Sequence, residues 1–229
     1  MKHLKPLTAR FKKNPPHLEE LVGRKTLLLG ETNSGKTRFT FNFVCSILQS
    51  KKCDPGDISI LDFAPSRVKM RNLVIGGTLW EILQESNNLP ASLVKLLTSL
   101  RWTERESPPS GAHTSPKILT PRFSAKSAQD VLNACCDNFV VTQKQLQYNL
   151  LHPTKVLIVN DVGIYLHLGG LHLLKKVLAF PQTALLNAYY GTTLLEDRGS
   201  YISRREEIML SLLARSLDMY LCPRYIPLT

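Results

Sequence analysis

Short apolar runs alternate along this chain with longer stretches of helical period. Thr26-Leu27-Leu28-Leu29, Ile58-Ser59-Ile60-Leu61, Val156-Leu157-Ile158-Val159 and Thr183-Ala184-Leu185-Leu186 are brief and largely continuous in apolar character. That is how strands buried on both faces read. They predict strands over 21–29, 57–63, 155–161 and 183–187, with a last one over 217–222 ended by Pro223. Between them, 36–50 carries Phe39, Phe43, Val44, Ile47 and Leu48 as one stripe, with Phe41 off it. Further helices are expected over 127–151 (Val131, Leu132 and Cys135 on one face), 171–178 and 203–216. The last opens on Ser203-Arg204-Arg205-Glu206, which has the spacing of a capping box. Strands separated by helices predict a mainly parallel sheet with right-handed crossovers, an α/β fold.

The middle of the chain is less regular. Gly76-Gly77 marks a turn, 78–83 starts a short helix, and 90–100 has helical period through Leu93, Val94, Leu96, Leu97 and Leu100. Residues 103–117 are crowded with Pro, Ser and Gly and read as a mobile loop. The whole of 67–150 reads as a largely helical insertion between two core strands, where substrate or partner recognition would reside. Residues 1–20, with Pro6, Pro15 and Pro16, read as a basic arm, and Gly23-Arg24 as a turn before the first strand. The expectation is one domain over 1–229, without internal repeats.

Composition narrows the class. With 229 residues, 43% of them apolar and 21% charged, the chain suits a single globular domain. No run approaches the roughly 18 apolar residues of a membrane span. The basic N-terminus lacks the apolar stretch of a secretory signal, so a cytoplasmic protein with no membrane partner is expected. Cys45, Cys53, Cys135, Cys136 and Cys222 show no C-x-x-C spacing and read as buried thiols in a reducing compartment. The net charge of +11 leaves nucleic acid open as a partner. Much of the excess lies in 2–25, however, and a phosphate-binding site is basic for its own reasons.

The chemistry concentrates in Gly30-Glu31-Thr32-Asn33-Ser34-Gly35-Lys36-Thr37, a G-x-x-x-x-G-K-T motif between an apolar strand and a helix. Two glycines let the backbone turn its N–H groups inward on a phosphate chain. The following helix N-terminus adds positive potential. Lys36 would reach the β- and γ-phosphates, and the Thr37 hydroxyl would bind Mg²⁺. In this the sequence resembles the P-loop NTPases. The resemblance implies a three-layer α/β/α fold and ATP bound with Mg²⁺ through Gly30, Glu31, Thr32, Asn33, Ser34, Gly35, Lys36, Thr37 and Arg38.

Two further segments end an apolar run in an acid, at Asp62 and Asp161. With Asn187 at the end of the next strand, the arrangement resembles the RecA-like ATPases. That likeness implies catalytic roles for Lys36, Asp62, Asp161 and Asn187, with Asp62 orienting water and Thr37 and Asp161 on the metal side. It touches the phosphate loop and four later strand ends, Leu217-Asp218-Met219-Tyr220-Leu221 among them, and not 67–150. Asp62 is followed by Phe63-Ala64, where many relatives carry a glutamate, which implies slow or absent hydrolysis. The expected function is an ATP-binding protein, a Mg²⁺-dependent ATP hydrolase working as a switch or motor on a partner, in a possible homo-oligomer. A small-molecule or nucleotide kinase with a lid built on Arg101, Arg105 or Arg122 stays open, as does a nucleotide-binding regulator without hydrolysis. Arg204 and Arg205, against the dipole of a helix start, are candidates to reach a phosphate. A GTPase is disfavoured, because D-x-x-G and N-K-x-D are absent.

Overall fold

The computed structural model describes residues 17–70, 73–102, 117–194 and 196–221. Most of the basic arm, nearly all of the loop expected over 103–117, Arg105 and Cys222 lie outside them.

The chain enters through a short 3-10 turn, Leu18–Leu21, and bends at Gly23 (φ 79°) before β1 (Lys25–Gly30). The first strand therefore starts later than residue 21. A loop leads to α1 (Lys36–Gln49), and Pro55–Asp57 turns into β2 (Ile58–Asp62). Next comes a hairpin of β3 (Val68–Met70) and β4 (Leu73–Ile75), which the sequence did not signal. The chain continues through α2 (Leu79–Glu85), α3 (Ala91–Ser99) and the two-residue β5 (Arg101–Trp102). A single turn, α4 (Pro121–Ser124), precedes the long α5 (Ala128–Leu151). The remainder is β6 (Val156–Asn160), α6 (Val162–Leu166), α7 (Leu171–Ala179), β7 (Thr183–Tyr189), α8 (Ile202–Leu213) and β8 (Asp218–Leu221).

Six strands form one sheet in the order β5-β2-β6-β7-β1-β8, every neighbour parallel. Its apolar runs divide by alternation between two faces, since successive strand side chains point opposite ways. Leu27, Leu29, Leu61, Leu157, Val159 and Leu186 pack with side chains from α5, α6, α7 and α8. Leu28, Ile58, Ile60, Val156, Ile158 and Leu185 pack with α1, α2 and α3. Each fully buried aliphatic side chain contributes about 1.5–3 kcal/mol, so neither face is dispensable. Helices over both faces of a parallel sheet make an α/β fold compatible with three layers.

Phe41 is buried in the same cluster as Phe43, although it falls off the expected stripe. The reason is that α1 is covered by α2 and α3 as well as by the sheet, which widens its buried arc. The segment 67–150 is likewise no appendage. It supplies an edge strand and helices to both layers. Among the cysteines, Cys45 and Cys135 are buried and Cys53 partly so, but Cys136 is exposed on α5, against the expectation of buried thiols. Among the described residues no helix is long and apolar enough to cross a membrane.

Candidate functional site

The C-terminal ends of β1, β2, β6 and β7 open on one cleft of about 730 Å³. Crevices at the carboxyl ends of parallel strands are where open α/β sheets bind ligands. The loop between β1 and α1 forms one wall, through Thr32, Asn33, Ser34, Gly35, Lys36, Thr37 and Arg38. It turns through two left-handed residues, Asn33 (φ 58°) and Gly35 (φ 88°). A Cβ at Gly35 would touch nothing within 4 Å, so this glycine is required by its backbone angle and not by crowding. Lys36 folds over the loop, its Nζ donating to Gly30 O at 2.9 Å and Glu31 O at 2.6 Å.

Gly30 and Glu31 are not lining residues of the cleft. Glu31 instead fastens the loop to the segment after β7: its Oε1 accepts from the Thr192 backbone N–H and from the Thr192 hydroxyl. Burial would raise the Glu31 carboxyl, but hydrogen bonds from Thr192 and Thr193 outweigh it and hold the group below its ordinary range.

Beneath the cleft floor runs a polar chain. Asn187 Nδ2 donates to Thr40 Oγ1 (3.0 Å) and to Asn160 Oδ1 (2.7 Å). Asn160 Nδ2 donates to Asp62 Oδ1 (2.7 Å), and Asp62 Oδ2 accepts from Leu79 N–H at 2.6 Å. Asp62 is thus 1% exposed and engaged at the N-terminus of α2, and it does not line the cleft. Burial pushes its carboxyl up to about 7, in spite of the hydrogen bonds from Asn160 and Leu79.

Asp161 does line the cleft, together with Asn187. It sits at the N-cap of α6 in the left-handed region (φ 58°), its backbone N–H donating to Asn187 Oδ1 at 2.9 Å. Burial raises its carboxyl to about 7, and neighbouring Glu206 adds to that, against the opposing charges of Lys36 and Arg122. Lys36 and Asp161, far apart in sequence, therefore act on each other across the site.

The sequence did not single out the other acid here. Glu206 on α8 lines the cleft and forms a buried ion pair with Arg122, whose side chain is 7% exposed against 5% for Glu206. Arg122 Nε also donates to Ser203 Oγ (3.2 Å). Burial alone would raise the Glu206 carboxyl, but Arg122 and then His167, whose Nε2 is 3.5 Å away, bring it down to about 2. Ser203 and Glu206 form no capping box. The helix starts at Ile202, and Asp197 Oδ2 takes the Ser203 N–H at 3.1 Å, while the side chains of the S-x-x-E pair clasp Arg122 from one helix face. The only sequence signal was the i, i+3 spacing, which serves a cap and a helix face equally well.

The other candidate arginines lie elsewhere. Arg205 donates to Leu168 O (2.9 Å) and Gly169 O, Arg204 lines a separate groove, and Arg101 donates to His152 O at 2.7 Å. Arg105 lies outside the described residues. No group of three or more His, Cys, Asp or Glu able to hold a metal occurs among the described residues. No protein-family model matches the chain, and no curated protein matches it.

Proposed function

We propose that the chain binds ATP with Mg²⁺ at this cleft, as a P-loop NTPase of the RecA-like branch, and works as an ATP-dependent switch on a partner. The observation that carries this reading is the loop of 30–37. Turned by Asn33 and Gly35 between a buried strand and a 14-residue helix, it brings Thr32 to Thr37 into the same cleft as Asp161, with Lys36 within electrostatic reach of that acid. A cleft of about 730 Å³ falls within the usual range for a ligand of nucleotide size.

The donor set suits the metal. Mg²⁺ typically takes one or two protein carboxylates and completes its shell with water and phosphate oxygens. At the cleft Asp161 would supply one carboxylate and Thr37 a hydroxyl. Bound Mg·ATP supplies a charged terminal phosphate and its leaving diphosphate. The chain's part is to hold them. The backbone N–H groups at the start of α1 would hold the phosphates. Lys36, whose Nζ now donates to the Gly30 and Glu31 carbonyls, would turn to phosphate oxygens. Asn187 fixes the Asp161 backbone, and Ala64, Pro65 and Ile75 exclude water from one wall.

A second reading, a nucleotide-binding regulator that does not hydrolyse, is favoured by Asp62. With both its oxygens accepting hydrogen bonds below the cleft, it is poorly disposed to orient a water molecule.

Titration of a fluorescent ATP analogue, with and without Mg²⁺, tests the first claim. Lys36→Ala should weaken binding by about 100-fold, the loss of a charge-assisted contact to phosphate. Binding that survives this substitution unchanged would sink the assignment. Phosphate release by the wild type, alone and with single-stranded nucleic acid, then separates hydrolase from regulator.

A further inference from the structure

Arg122 lies outside the loop of 30–37, yet its position is fixed from several sides. Asn138 on α5 grips the approach to it in both directions: Leu119 N–H donates to Asn138 Oδ1 at 2.8 Å, and Asn138 Nδ2 donates to Leu119 O at 3.0 Å. Pro121 then opens the single turn of α4. The guanidinium arrives in the cleft with Glu206 on one side and the Tyr189 ring 6.0 Å from it.

A buried ion pair alone is weak evidence of a stabilising role, because desolvation costs about as much as the attraction returns. Here the pair also faces the cleft. Arg67, another cation lining it, turns to Glu85 on an exposed surface. Arg122, by contrast, shares with Lys36 the role of offsetting the charge of Asp161. An arginine fork has five N–H donors, and Glu206 and Ser203 engage only part of that set.

We propose that Arg122 is the residue by which the cleft tells a triphosphate from a diphosphate, its guanidinium shared between Glu206 and the terminal phosphate. The inference rests on the reading of the cleft as a nucleotide site. Glu206 is then a competitor for Arg122, which gives the two residues opposite signs. Removing Arg122 costs triphosphate affinity, and neutralising Glu206 increases it.

The test is a double-mutant cycle read as the ratio of ATP to ADP dissociation constants, using wild type, Arg122→Ala, Glu206→Gln and the double variant. Arg122→Ala should reduce the preference for ATP by about 10- to 100-fold with little change in ADP binding, the size of a lost charge-assisted phosphate contact. Glu206→Gln should raise ATP affinity severalfold, and that gain should vanish when Arg122 is already alanine. A purely structural pair predicts instead that both nucleotides weaken together. An unchanged ATP:ADP ratio in Arg122→Ala overturns the inference, as does a Glu206→Gln gain that persists without Arg122. If Arg122→Ala does not fold, Arg122→Lys, which keeps charge but loses the fork, carries the same ratio test. Wild type that binds neither nucleotide would remove the nucleotide reading itself and this inference with it. A site that binds ATP, loses it in Lys36→Ala and ignores Arg122 would remove only the inference.

Discussion

Asn187 Nδ2 stands 2.7 Å from Asn160 Oδ1, so the ends of two adjacent parallel strands, β7 and β6, are tied by side chains as well as by backbone. Through this bond Thr40 of α1, Asp161 and Asp62 become one connected set. A fully satisfied buried network of this kind rigidifies what it joins. The cleft floor is therefore built as a unit, with Asp161 positioned through its backbone N–H and its carboxylate left to the cleft.

Asn160→Ala tests that unit. It strips a donor from Asp62 Oδ1 and an acceptor from Asn187 Nδ2 among three buried side chains. Leaving such groups unsatisfied costs about 1–3 kcal/mol each. Urea denaturation should show a loss of roughly 2–4 kcal/mol, since both partners are affected. A loss below about 0.5 kcal/mol, the level of an ordinary surface change, would mean that the network does not bind the strand ends together.

The titration of the acids gives a pH signature with a definite sign. Asp161 and Asp62 both have carboxyls raised to about 7 from an ordinary 3.8. The folded chain then holds their protons more tightly than the unfolded chain does. The resulting stabilisation is complete below about pH 4 and is lost as pH rises through about 7. Glu206 works the other way: held down to about 2 from 4.5, it favours the fold above about pH 4.5 and loses that contribution as pH falls toward 2. The urea midpoint should accordingly decline from pH 5 to pH 8. Asp161→Asn removes one of the two ionisations, so its decline should be shallower and its stability at pH 8 higher than wild type by on the order of 1–2 kcal/mol. Identical slopes would show that Asp161 is ionised throughout. Mg²⁺-dependent nucleotide binding should run opposite, strengthening as pH rises through 7, because the metal needs the carboxylate.

How far the sequence reveals these features depends on the range of the interactions that create them. The core strands were legible because burial on both faces writes an uninterrupted apolar run into consecutive residues, as at Val156–Val159. The place of the 30–37 loop between a strand and a helix was legible for the same reason: its glycines, lysine and threonine lie within eight positions. The hairpin of β3 and β4 has strands of three residues, too short for any period to register. Arg122 and Glu206 meet across 84 positions, and nothing local to either announces the other. Asp62 shows the intermediate case. An acid ending an apolar strand is equally suited to a metal or to a helix terminus, and the choice was made by Leu79 N–H and Asn160, which come from other elements.

Two glycines beside the cleft separate what holds the fold from what holds the loop. An added Cβ at Gly163 would lie 2.0 Å from Glu206 Oε1, and at Gly191 it would lie 2.0 Å from Glu31 Cδ. The clashes look alike but the neighbours differ. Glu206 is buried and paired with Arg122, so it has nowhere to go without breaking a charged contact. Gly163→Ala should cost about 1–3 kcal/mol by overpacking, and more if the pair separates. Glu31 is only partly buried, so its carboxylate can yield to an added Cβ by giving up its bonds to Thr192. Gly191→Ala should thus cost under about 1 kcal/mol in stability, while loosening a side-chain tie between the loop of 30–37 and the segment after β7. Its effect should appear in nucleotide affinity, a loss of about 3- to 10-fold, the size of one charge-assisted hydrogen bond to the backbone. Urea denaturation and analogue titration on the same two proteins decide the matter. The expected outcome is a crossed pattern, stability lost in Gly163→Ala and affinity lost in Gly191→Ala. Equal losses of stability would show that Glu31 is as firmly fixed as Glu206, and that the loop of 30–37 is rigid on its own.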